Sequence, residues 1–333
     1  MKEKSFYLVS LGCAKNTVDS ASMTELLSQN GYARVERASQ AKLLIVNTCG
    51  FIQPSRDEAI QVLNELAQKK RADQLLVAAG CLTERFSQYV VERVPKLDGI
   101  LGTRNWMDIV DVAEKLRSEK PLKTFYNLPQ TAGINRIEPD VPRTAVQGGS
   151  AYLKIADGCH RPCAFCTIPL IKGSTASRSI SSIIADAREL QKIGTREIIL
   201  IAQDTTSYGY DLGFKDGLSD LLESLIPQVP EIPWIRILYA YPGSVTDRFI
   251  DLMASQPQML HYLDIPLQHA HHDTLSRMRR PANMDWVYKT IEKMRKAIPD
   301  LVLRTTFIVG YPGETQTEFD TLLNFISEIR FDR

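Results

Sequence analysis

The sequence predicts an α/β protein of two domains: an N-terminal parallel α/β sandwich, then a partial barrel of serial strand–helix units. Three observations carry this reading. Short β-rich runs alternate with helix-periodic runs through the first third. A stretch holding Pro121, Pro129, Pro139 and Pro142 breaks that rhythm. The rhythm then restarts and repeats five times. A chain of 333 residues is long enough to bury two separate cores.

In the first domain, residues 6–11 read as a buried strand and 19–30 as a helix, with Met23, Leu26 and Leu27 on one face and Gly31 as its stop. Residues 43–46 form the next strand. Ser55 is the expected N-cap of the following helix, with Glu58 completing a capping box. Residues 74–79 and 99–102 are strands three and four, and 106–116 a closing helix. Helices between strands place a parallel sheet between two helical layers.

The expected domains are 1–135 and 150–333, joined by a linker over 136–149 that ends in Gly148-Gly149. Strands of the second domain are expected at 152–155, 197–202, 234–240, 262–267 and 303–309. Helices are expected at 180–192, 217–226, 247–254, 284–297 and 315–330. Five such units suggest a barrel-like parallel sheet. The chain stops at Arg333, where a sixth strand is expected, so the second domain reads as truncated before its last strand.

Composition narrows the function. With 40 Lys+Arg against 39 Asp+Glu, the net charge of +1 gives no global attraction to nucleic acid or acidic membranes. No apolar run approaches the roughly 20 residues of a membrane helix, and residues 1–6 enter a strand without a secretory signal. The expectation is a cytoplasmic protein without a membrane partner. In that compartment the six cysteines are not stable disulfides. They are metal ligands, redox groups or buried apolar residues.

Cys159, Cys163 and Cys166 form a C-x3-C-x2-C run directly after a predicted strand. Three thiolates so close can converge on one metal centre. Structural zinc needs a fourth ligand, for which His160 or a distant histidine could serve. An iron-sulfur cluster can accept three cysteines and leave one iron open. A C-x-x-C redox pair leaves Cys159 unexplained. Cys13, Cys49 and Cys81 each follow a predicted strand of the first domain. Strand ends of a parallel sheet share one edge, where ligands bind, so these three would be neighbours. Three buried cysteines are the alternative.

An open iron needs a ligand, expected at the C-terminal strand ends near Gln203-Asp204, Tyr241, Gln268-His269 and Gly310. The loop with His269, His271, His272 and Asp273 reads as solvated or as an adventitious metal site. Arg277, Arg279 and Arg280 read as a solvated helix end.

The C-x3-C-x2-C loop after a strand in a serial βα domain resembles the radical S-adenosylmethionine (SAM) enzymes. With the three-cysteine N-terminal domain, the resemblance narrows to the methylthiotransferases. It lies closest to the branch acting on ribosomal protein S12, through segments 11–16, 201–209, 262–269 and 303–310. The tRNA-modifying branch usually has Gln-Met where this chain has Lys15-Asn16, and an Asn-rich segment in place of 203–206. Ala14 stands where the S12 branch commonly has proline. That family continues into a sixth barrel strand and a β-rich TRAM domain, both missing from this sequence.

The resemblance implies a partial radical SAM (βα) barrel and two [4Fe-4S] clusters. Cys159, Cys163 and Cys166 would hold the catalytic cluster, whose open iron binds SAM and cleaves it to a 5′-deoxyadenosyl radical. That radical takes hydrogen from the β-carbon of an S12 aspartate. Cys13, Cys49 and Cys81 would hold the auxiliary cluster that delivers the methylthio group, with methyl from a second SAM. Phe165, Gln203 and Gln268 are the expected cofactor contacts. Arg304 is expected at the barrel bottom. Implied partners are S12, free or on the ribosome, and an electron donor; the chain is expected to be a monomer. The alternatives are a tRNA adenosine methylthiotransferase and a non-catalytic zinc-binding protein.

Overall fold

A computed structural model describes residues 4–119, 123–129 and 141–333. Residues 136–140 of the expected linker lie outside the described residues, as do Pro121 and Pro139. The chain divides into two compact units, one of residues 1–145 with 167–174, the other of 146–166 with 175–333.

The first unit is built on strands β1 (Ser5–Ser10), β2 (Ala33–Arg34), β3 (Leu43–Thr48), β4 (Leu75–Gly80), β5 (Gly99–Gly102) and β6 (Phe125–Asn127), interleaved with helices α1 (Ala14–Gln29), α2 (Gln53–Lys69), α3 (Cys81–Arg93) and α4 (Ile109–Glu119). All pairings are parallel and the order is β2-β1-β3-β4-β5-β6. Alternate residues of each strand face opposite layers. Leu43, Ile45 and Val77 pack with Met23, Leu27, Val112 and Leu116 of α1 and α4. Leu44, Val46 and Leu76 pack with Leu63, Leu82 and Val90 of α2 and α3. This is the predicted sandwich. Its strand order reverses between β1 and β3, the point at which such sheets open a ligand crevice beyond their carboxyl ends.

Helix starts differ from the sequence expectation at α1, α2 and α4, the last beginning at Ile109 and not at residue 106. α1 begins at Ala14 with Cys13 as its N-cap, five residues before the predicted start. α2 begins at Gln53, capped at Ile52 without a side-chain bond. Pro54 explains the second shift: its fixed φ and missing N–H suit the first helical turn, which leaves Ser55 inside the helix and the predicted capping box unformed.

The second unit contains β8 (Ser150–Lys154), β11 (Glu197–Ile201), β12 (Trp234–Ile237), β13 (Met259–Asp264) and β14 (Val302–Arg304), all parallel, with β7 (Thr144–Gln147) on the β8 edge. Helices α6 (Ile180–Lys192), α7 (Gly217–Leu225), α8 (Asp247–Ser255), α10 (Met284–Ala297) and α11 (Gln316–Ile329) cover it. Their apolar faces share one core with the strands, including Leu153, Leu200, Ile237, Leu263, Leu222, Phe249, Ile291 and Phe325. The short pair β9 (Ala156–Asp157) and β10 (Ala176–Ser177) is antiparallel and brackets the chain from Gly158 to Thr175. Within that excursion lie the cysteine run and the short helix α5 (Ile168–Lys172). The remaining short helix is α9 (His272–Arg277).

Strands β12 and β14 are shorter than predicted, ending at Ile237 and Arg304, and β13 lies three residues earlier than predicted, ending at Asp264. Beyond them Tyr239 and Gln268 take φ of 65° and 78°, left-handed values that no strand accommodates. Pro266 also has no N–H for a ladder. Arg304 therefore sits at the C-terminal end of its strand, bonded to buried Asp264 at 3.1 Å, and not at the barrel bottom. No helix among the described residues is long and apolar enough to cross a membrane.

Candidate metal centres and cofactor site

In the first unit, Cys13 follows β1, Cys49 follows β3 and Cys81 opens α3 just after β4. Cys13 and Cys49 thus flank the reversal of strand order. Two glycines make the approach of their loops sterically feasible. A Cβ on Gly12 (φ 92°) would lie 2.7 Å from Cys49 Cβ and 3.1 Å from its Sγ. A Cβ on Gly80 (φ 103°) would lie 2.4 Å from Asn47 Oδ1. Both distances are inside van der Waals contact, so only glycine fits.

Two buried asparagines tie the same loops together. Asn16 Nδ2 donates to Leu11 O and Thr48 O, both at 3.0 Å, and its Oδ1 lies 3.7 Å from Cys81 Sγ. Asn47 Nδ2 donates to Asn16 O at 3.0 Å and Ser20 Oγ at 2.9 Å. One turn beyond Asn16, buried Asp19 meets Arg143 at 2.5 Å and Lys172 at 2.8 Å. Burial pushes the Cys81 thiol up to about 12; Lys172 opposes this, while Cys13 and Cys49 add to it. A bound metal would reverse that preference, because coordination deprotonates a thiol outright.

In the second unit, Gly158 (φ 71°) turns the chain from β9 into the loop. Cys159 is buried, and Cys163 and Cys166 are half-buried. Cys166 N donates to Cys163 O at 3.0 Å, closing a tight turn between the second and third thiols. Arg161 N donates to Cys159 Sγ at 3.4 Å. Burial pushes the Cys159 thiol up to about 11.

The strand ends converge on this loop. Asp204 beyond β11 accepts from Arg161 Nε at 2.7 Å, and Ser244 beyond β12 accepts from Arg161 Nη2 at 2.8 Å. Tyr241 lies with its ring beneath Arg161, 4.0 Å from centroid to guanidinium. Gln203 Oε1 is buried without a hydrogen-bond partner among the described residues. Gln268 is pinned on both sides of its backbone, donating to Thr306 O at 2.9 Å and accepting from Ile308 N at 2.8 Å. Phe165 is half-buried and stands outside the apolar core.

These donor sets suit an iron-sulfur cluster better than a lone zinc. Four ligands at about 2.3 Å from zinc force sulfurs to about 3.8 Å apart. Among the described residues neither cysteine trio has all three sulfurs within 4.8 Å of one another. The group that does meet that spacing is His271, Asp273 and Glu318. Its atoms are engaged in folding: His271 Nδ1 accepts from Asp273 N to cap α9, and Glu318 is bound by Arg277 at 2.9 Å and by the cap of α11. His269 of the same loop is buried against Glu314 at 3.3 Å, not solvated as its sequence context suggests.

Residues 5–102 match the uncharacterized protein family UPF0004, and residues 153–326 match the radical SAM superfamily. Among curated proteins, the chain is 46% identical to the ribosomal protein uS12 methylthiotransferase RimO of Herpetosiphon aurantiacus, over 98% of this chain and 75% of that protein. It is likewise 46% identical to RimO of Chloroflexus aurantiacus, over 98% and 74%. Among solved structures, the radical SAM methyltransferase TsrM of Kitasatospora setae matches with a TM-score of 0.71 at 13% identity, covering 98% of this chain and 72% of that one. The cobalamin-dependent SAM radical enzyme OxsB matches with 0.69 at 12%, covering 97% and 52%. At those identities the likeness is one of fold. The curated relatives, extending over nearly the whole chain, are what place it in the RimO family of radical SAM methylthiotransferases.

Proposed function

We propose that this enzyme methylthiolates the β-carbon of an aspartate on ribosomal protein S12. The observation that carries the reading is the pair of three-cysteine sets, one at the carboxyl end of the first unit's parallel sheet and one in the loop that follows β8 and β9, in a chain nearly half identical to RimO. Two [4Fe-4S] clusters fit six cysteines divided three and three. In this reading Cys159, Cys163 and Cys166 hold one, and Cys13, Cys49 and Cys81 the other. When bound, the first with SAM supplies the one-electron chemistry that opens an unactivated C–H bond, and the second supplies sulfur.

The chain's own residues bind and orient. Gln203 Oε1 offers a buried, unmet acceptor to a cofactor N–H. Gln268 presents its side chain from a backbone fixed by two hydrogen bonds, and half-buried Phe165 offers a face for the adenine. Arg161, anchored by Asp204 and Ser244, stiffens the loop between its first two cysteines. The functional division follows residues 1–135 and 150–333, with 136–149 as linker. The partners are S12 and a cytoplasmic one-electron donor.

The test is anaerobic reaction of the reconstituted enzyme with S12, bulk tRNA, SAM and a chemical reductant, followed by digestion and mass spectrometry of both. One added methylthio group on an S12 aspartate is the expected product. Unmodified S12 with a thiomethylated tRNA adenosine instead would overturn the substrate. Bound zinc with no labile sulfide would overturn the chemistry.

A further inference from the structure

The basic run at 277–280 reads in the sequence as a solvated helix end, but its last member is half-buried. Helix α9 ends at Arg277, and Arg279 takes φ 52°. A non-glycine residue rarely adopts this conformation, and it persists only where its surroundings enforce it. The turn is closed by Arg280 N donating to Leu275 O at 2.9 Å. It sends the Arg280 side chain back toward the cysteine loop. There Nη1 lies 3.7 Å from Cys163 Sγ, and Nη2 donates to Pro266 O beyond β13.

Two further observations fix that guanidinium. It lies 4.2 Å from the Tyr241 ring centroid, while Arg161 lies 4.0 Å from the same centroid. The Tyr241 ring is thus shared by two guanidinium groups, each held by a cation–π contact. The backbone beside the turn grips the loop as well: Met278 O accepts from Ala164 N at 2.9 Å, adjacent to Cys163. One short segment therefore holds the middle cysteine through both main chain and side chain, from 117 residues away in sequence.

We infer that Arg280 is a positioning residue of the 159–166 loop whose guanidinium donates to the Cys163 sulfur and raises the reduction potential of the cluster held there. This rests on the ligand set proposed above. The physical ground is general. Reduction adds negative charge to a cluster, and a hydrogen-bond donor or cation at a ligand sulfur stabilises the reduced form. Arg280 supplies both, from a geometry fixed before the metal arrives.

The test uses the full chain with Cys13, Cys49 and Cys81 replaced by alanine, so that any cluster belongs to the loop. After anaerobic reconstitution, iron and sulfide are counted and the cluster is titrated by electron paramagnetic resonance. In this background Arg280→Met is expected to hold about tenfold less reduced cluster at a fixed potential, a downward shift of about 59 mV for a one-electron couple. Arg280→Lys, which returns a cation, is expected to recover most of that loss. If the methionine variant does not load, Arg280→Gln is titrated in its place with the same expected direction. Midpoints equal to that of the unsubstituted background overturn the role of Arg280. A background that binds no iron and sulfide overturns the ligand set itself, whatever Arg280 does.

Discussion

At Asp19 one carboxylate carries two buried cations, Arg143 and Lys172, from segments 124 and 153 residues away. Isolated in a low-dielectric interior each charge would be prohibitive; together they compensate, and Arg143 gains a further bond to Ser22 at 2.9 Å and a stack on Trp106. Removing the carboxylate takes from both buried cations the counter-charge they share. Asp19→Ala is therefore expected to destabilise the first unit by about 3–5 kcal/mol, read from the urea midpoint of the anaerobic apoprotein. A loss no larger than that of an exposed carboxylate, about 0.5 kcal/mol, would mean that water reaches the cluster. None of this was legible in the sequence. Asp19 reads there as a helix start, and its partners are identifiable only once the fold brings 143 and 172 to α1. The cysteines are the opposite case: their placement at strand ends followed from local pattern alone. Arg280 failed to register for the same reason as Asp19, since a basic run carries no mark of the sulfur it faces.

Among elements, the strand–helix order was legible because periodicity is local, and the ends were not because ends answer to the site. The apolar pattern continues past β13 through Ile265 and Leu267, both buried, yet the ladder stops where the chain bends to form the cofactor edge. Capping was similarly divided. The Ser55–Glu58 pattern lies inside α2, whereas Thr315 and Glu318 form a complete capping box at α11. The Thr315 backbone N–H, then Arg277, lower the Glu318 carboxyl from 4.5 to about 2. A carboxylate depressed on folding contributes stability that is present above its unfolded value and is lost as pH falls through the folded one. The melting-temperature gap between the parent chain and Glu318→Gln should accordingly be widest near neutrality. It should narrow as pH falls from 4.5 toward 2. A gap that stays constant across that range would show that the bonds are equally strong to the neutral acid.

The whole molecule separates its cysteines cleanly. Cys13, Cys49 and Cys81 fall in the unit of residues 1–145 with 167–174, and Cys159, Cys163 and Cys166 in the unit of 146–166 with 175–333. Among the described residues each unit buries its own apolar core. Each ligand set is also held by its own polar residues: Asn16 and Asn47 in the first unit, Arg161 and Arg280 in the second. Sites that load independently respond additively to substitution. Alanine at Cys13, Cys49 and Cys81 should therefore remove about half of the iron and sulfide of the reconstituted enzyme, and leave a cluster whose spectrum responds to SAM. Alanine at Cys159, Cys163 and Cys166 should remove the other half and abolish that response. All six together should leave none. Iron and sulfide counts with electron paramagnetic resonance of each variant make the check. If the variant lacking Cys13, Cys49 and Cys81 loses all its iron, Cys159, Cys163 and Cys166 are not a cluster site of their own, and the independence argued from the separate cores fails with them.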